Sequence, residues 1–270
     1  TEAPSQITLK NDRDEILKTE IEWAQGEDLH VFHEKILDNR AIAMDFAEKR
    51  LRRNPDQPRL LEEYLESTTP TDAPRIEAFL KTGIDRRPVD VSWHRAWQTA
   101  VELVGRADDA LKYCDDALKS DPTNAALLYL RGRIDRNWDV QAEYYRRSIE
   151  ADPRLPWPRM AIAGMALAET RWDDALEATE KALELGYEDH DRLAEMTHNA
   201  LMGKRDFDSA GDRARAAIVA EPMNLKATYR LAEALAAAGR SDEVVSTLNA
   251  IAAKAPPEMI GQVSQQLQAM

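Results

Sequence analysis

Histidines, cysteines and paired carboxylates are the groups with which a protein most often does chemistry, and in this chain they are few and scattered. His30 and His33 lie three residues apart with Glu34 alongside. On a helix that spacing puts two imidazoles on one face, the arrangement of a metal site. No third ligand follows at a suitable spacing, so no metal and no cofactor is expected. Cys114 is the single cysteine, which leaves no internal disulfide and no thiolate cluster. The chain has no glycine-rich phosphate loop, no G-x-S-x-G and no metalloprotease motif, and its 10 glycines leave little material for tight catalytic loops. No catalytic residue is assigned, and the chain reads as a non-enzyme.

Composition points the same way. Of 270 residues, 43% are hydrophobic and 31% charged, enough apolar surface for a folded, water-exposed protein. The net charge of −13 repels phosphate backbones, which argues against nucleic acid as a ligand. No run approaches the ~18 uncharged apolar residues of a membrane helix, and the opening TEAPSQITLK lacks the layout of a secretory signal, so no direct membrane insertion is expected. The chain begins at Thr1 rather than Met, which leaves room for a signal or anchor upstream and leaves open both the cytoplasm and a bacterial periplasm.

What the sequence does contain is a period. The segments RADDALKYCDDALKSDP (106–122), WDVQAEYYRRSIEADP (138–153), RWDDALEATEKALELG (171–186), RDFDSAGDRARAAIVAEP (205–222) and RSDEVVSTLNAIAAKAP (240–256) vary one theme, a turn followed by an amphipathic helix. Most close on a proline, at Pro122, Pro153, Pro222 and Pro256, because proline cannot continue a helix interior. Asp108-Asp109 and Asp173-Asp174 open two of these helices, where acids favour the positive end of the helix dipole. Ala110, Ala175 and Ala210 recur near the helix start, with Ala117, Ala182 and Ala217 seven residues on. Ahead of each turn lies another helical stretch, such as VSWHRAWQTAVELVG or LKATYRLAEALAAAG. The unit is a helical hairpin.

These features resemble the tetratricopeptide repeats, whose period is about 34 residues. The family pattern fits Tyr129-Leu130-Arg131-Gly132, Trp172 with Ala175 and Ala182, and Phe207 with Ala210, Ala217 and Pro222. The resemblance implies an all-α, right-handed superhelical solenoid of hairpins. Five repeats are expected over 91–258, starting near 91, 125, 156, 191 and 225, with the residues missing from the short second repeat coming out of the turn around Asn137. Residues 1–90 read as an N-terminal helical region with two degenerate hairpins. Met259, Ile260, Val263 and Leu267 form the apolar stripe of a capping helix over 259–270.

The resemblance also implies a function. Stacked hairpins present an extended concave surface lined by their first helices, so the expected role is a scaffold or adaptor that holds a segment of another protein or peptide. Two other readings are the repeat region of a larger or membrane-anchored assembly protein and, weakest, a stand-alone enzyme. The family register assigns Arg95 and Thr99 to the groove, with Ser92, then Tyr129 and Arg133, then Trp157 and Met160. It adds Arg192 and Asn199 with Glu195, and Lys226 and Tyr229 with Glu233. Trp157, between Pro156 and Pro158, is the expected anchor, while Trp93, Trp97, Trp138 and Trp172 are expected in the core or against turns. Arg95, Arg133, Arg192 and Lys226 admit two readings: a groove for an acidic or carboxylate-ended peptide, or a solvated face neutralised by Glu102, Glu195 and Glu233. Self-association is left open. The paired lysine clamp of chaperone-tail readers is not reproduced, since Arg95 with Thr99 and Tyr129 with Arg133 occupy its places. Cys114 falls where the family buries a large side chain, implying a packed thiol.

Overall fold

The computed structural model describes residues 40–55, 60–61, 64–65, 71–221 and 224–252, and every regular element among them is an α-helix. The chain divides into two units, residues 1–136 and 137–270. The first holds α1 (Arg40–Arg53), α2 (Ala73–Lys81), α3 (Val91–Leu103), α4 (Ala107–Ser120) and α5 (Ala125–Ile134). The second holds α6 (Trp138–Ala151), α7 (Trp157–Ala168), α8 (Trp172–Glu184), α9 (His190–Lys204), α10 (Phe207–Ala220), α11 (Leu225–Ala237) and α12 (Ser241–Ala252). His30, His33, Glu34 and the capping stripe from Met259 lie outside the described residues. The expected all-α repeat architecture is what the described residues form.

Local chemistry sets the helix ends. Asp90 accepts a hydrogen bond from the Trp93 amide at 2.9 Å, and Asn124, Asp189, Asp206 and Asn224 cap α5, α9, α10 and α11 in the same way, each satisfying a backbone donor that the first turn leaves free. At the other ends a residue with positive φ reverses the chain. Gly105 and Gly239 do this after α3 and α11, and Thr170 and Arg205 do it after α7 and α9. Each lets the next amide reach back five residues, as from Arg106 to the Val101 carbonyl and from Asp206 to that of Leu201, both 2.9 Å. The short second repeat departs from expectation. Its missing residues come out of α5, which has 10 residues against 13 in α3, while the turns after both helices are three residues long.

Small residues let neighbouring helices close up. Ala110, Ala175 and Ala210 are at most 1% exposed, and Ala166, Ala175 and Ala200 form one cluster where α7, α8 and α9 meet. Gly203 belongs to the same logic, because a Cβ there would sit 2.6 Å from the Trp172 ring. In the first unit the space between helices is filled by rings. Phe79 packs on Trp93 at 5.8 Å between centroids, and Trp97 packs on His94 at 6.4 Å and on Tyr113 at 5.4 Å. The Trp93 indole N–H donates to the Leu80 carbonyl at 2.6 Å. Trp93 and Trp97 are therefore core, as expected. Trp138 is 43% exposed and sits against a turn, with its indole N–H donating to Glu169 just after α7.

Candidate partner-binding faces

Two pairs of successive first helices, α3 with α5 and α9 with α11, are bridged by polar side chains one repeat apart. In the first unit, Arg133 of α5 donates to the Gln98 side-chain oxygen and the Thr99 hydroxyl of α3, both at 3.0 Å, and lies 3.5 Å from Glu102. Thr99 in turn donates to the Arg95 carbonyl, and the Gln98 amide donates to the Leu130 carbonyl at 2.9 Å. Three of the expected groove residues, Arg95, Thr99 and Arg133, are thus brought together, with Arg95 half-buried. Tyr129 is only 4% exposed. It is a core residue, because the α5 face that carries it is apolar nearly all round and is buried from Leu127 to Gly132.

In the second unit, Lys226 of α11 reaches Asp191 of α9 at 2.8 Å, and His198 contacts Glu233 at 3.0 Å. Arg192 pairs with Glu195 at 3.0 Å within α9. The hydrogen bond that Lys226 donates to Asp191 raises its ammonium above the ordinary lysine range. Asn199 is exposed, and Tyr229 is half-buried with its hydroxyl covered and unpartnered among the described residues. Met160 is the second correction to the expected face. At 6% exposure it packs with Ala163, Ala182, Leu193 and Met196, since α7 is mostly apolar and has no polar side to turn outward. Trp157 stands half-buried, its ring edge-on to Tyr187 at 5.0 Å.

Gln98, Asp191 and His198 were not singled out by the register, yet they make the bridges. The signal was available in the spacing: Gln98 to Arg133, Asp191 to Lys226 and His198 to Glu233 are each 35 residues apart, about one period. Burial pushes the Cys114 thiol up to about 12, so it is a packed side chain. Among the described residues, no three His, Cys, Asp or Glu side chains cluster as metal ligands, and no helix is long and apolar enough to cross a membrane.

Residues 199–258, from within α9 through α12, match the sequence model described as tetratricopeptide repeat. Over that stretch the chain carries a tetratricopeptide repeat. Among solved structures it is similar to the MamA protein, at 16% identity over 64% of this chain and 94% of that one, with a TM-score of 0.50. Also similar are YrrB, a TPR protein with an unusual peptide-binding site (15% identity, 71% and 98% covered, TM-score 0.49), and TTC0263, a thermophilic TPR protein in Thermus thermophilus (18%, 66% and 100%, TM-score 0.45). At these identities the likeness concerns the fold. No curated protein matches the chain in sequence. Arrays of such repeats present extended surfaces suited to protein interaction.

Proposed function

We propose that this chain holds a segment of a partner protein against the faces of its first helices, with Arg192, Asn199 and Lys226 making contact in the second unit and Arg133 and Thr99 in the first. The observation that carries this reading is the set of polar bridges between successive first helices at one-repeat spacing. They hold long side chains in fixed places, so a partner meets groups whose ordering cost is already met.

The finer reading is an acidic or carboxylate-ended segment. Arg192 and Lys226 are engaged by Glu195 and Asp191, but these pairs are exposed and exposed pairs contribute only ~0–1 kcal/mol. A partner carboxylate can replace an internal one at little cost, and Arg offers it two parallel hydrogen bonds. The test is affinity capture followed by mass spectrometry, comparing the native chain with the Arg192→Glu, Lys226→Glu double variant. Loss of a partner that the native chain retains is the expected outcome. Retention of every partner sinks the assignment.

A further inference from the structure

The second unit contains a cavity of about 290 Å³ bounded by α8, α9, α10 and α11. Its wall is mostly methyl groups, from Ala194, Ala210, Ala214, Ala217 and Ala227. The hydroxyls in the wall are satisfied within the protein, Thr197 donating to Thr179 at 3.3 Å and Thr179 to the Leu176 carbonyl at 2.9 Å. Leu183 lines the space while remaining 52% exposed, so the cavity opens to solvent and presents an apolar lip.

The first unit shows what such a space holds when it is filled. The block α3 to α5 recurs 100 residues on as α9 to α11: Ala110 corresponds to Ala210, Asn124 to Asn224, and the left-handed Gly105 to the left-handed Arg205. In that register the cavity lining Ala194, Thr197, Arg213 and Ala227 stands where the first unit has His94, Trp97, Tyr113 and Leu127. The three rings among these pack on one another in the first unit. The second unit keeps the frame and lacks the rings.

The polar groups on the wall complete the picture. Arg213 is neutralised by Glu180 at 2.9 Å, and His198 contacts Glu233. Arg230 donates to the Asp191 carbonyl at 3.1 Å, and among the described residues it has no carboxylate in ion-pair range. An apolar space with one cation whose charge is not matched suits a ligand that is apolar in the body and anionic beside it. The volume lies at the small end of ligand pockets, which fits one aromatic side chain better than a lipid or a dinucleotide.

We infer that this cavity receives an aromatic side chain of the partner segment, from a residue flanked by acidic ones whose carboxylate meets Arg230. The inference rests on the scaffold reading above and supplies the partner's chemistry. It assigns the site to α8–α11, where an indole from outside takes the place that Trp97 fills from within in the first unit.

The test is titration of the full chain with a short peptide bearing one tryptophan between two aspartates. Controls are the same peptide with alanine for tryptophan, the same with lysines for aspartates, and free indole-3-acetate. The free carboxylate is expected to bind at about 1 mM, and the acidic tryptophan peptide at least tenfold more tightly. Thr197→Trp, which installs the first unit's own ring, should weaken the peptide at least tenfold. Ala227→Leu, a milder filling, should weaken it severalfold with the helical content unchanged. Arg230→Ala should erase the preference for aspartate over lysine. No binding of the peptide, binding unaffected by both filling variants, or indole-3-acetate binding as tightly as the peptide each overturns the inference. Partner capture that survives Thr197→Trp but is lost in the Arg192→Glu, Lys226→Glu variant overturns the cavity and leaves the scaffold reading standing.

Discussion

The blocks α3–α5 and α9–α11 share a backbone plan and differ in what fills it. Both close their first turn with a left-handed residue and the same five-residue reach, both run a 14-residue second helix, and both start the next helix on an asparagine that caps one amide and holds a neighbouring acid. Between these fixed points the first block packs Trp93, His94, Trp97 and Tyr113, while the second has Leu193, Ala194, Thr197 and Arg213. Turn and cap residues therefore set the frame, and the side chains between them decide separately whether the frame is solid or hollow.

The comparison breaks most readily at Trp97. Converting it to the residue of the other block, Trp97→Thr, removes a ring that is 3% exposed and packed on two others, and should cost about 3–5 kcal/mol in urea unfolding followed by circular dichroism. A cost below about 1 kcal/mol would mean the rings are not what makes the first block solid.

Acid should separate the blocks next. His94 is 1% exposed, with Nε2 2.7 Å from the Ile84 carbonyl, and burial holds its ionisation down at about 4. Above the unfolded value near 6.5 both states are neutral and pH has no effect through this group. As pH falls from there towards 4, the unfolded chain takes up a proton that the folded chain refuses, and stability declines. At pH 5 the loss is about 2 kcal/mol. Hydrogen exchange at pH 7 and pH 5 should therefore show lost protection in α3 and α4. The corresponding amides of α9 and α10, with Ala194 in place of the histidine, should be less affected, and His94→Gln should flatten the difference.

The smallest effect tests the likeness. Asn124→Ala and Asn224→Ala each remove one cap and should each cost about 1 kcal/mol, measured by the same unfolding assay. Unequal costs would show that the shared frame is not energetically shared.

Much of this architecture could be read from residue order. Prolines, acid pairs and recurring alanines mark helix boundaries and close contacts through local rules, so the chain forms helices throughout the described residues and Ala110, Ala175 and Ala210 are buried. The faces were less legible. Register alone puts Tyr129 and Met160 on an open surface, but α5 and α7 are apolar nearly all round and bury those residues regardless of register. The cavity was hardest to foresee because no single residue makes it: it arises from small side chains on four helices, and each alanine by itself looks like ordinary close packing.

The bridges from Lys226 to Asp191, from Arg213 to Glu180 and from Lys204 to Asp173 each tie one hairpin only to its immediate neighbour. Deleting a whole hairpin would orphan one charge of each bridge it shared with its two neighbours and would leave the more distant pairs intact. A wiring scheme of this kind confines the repair after such a change to the hairpins on either side of it.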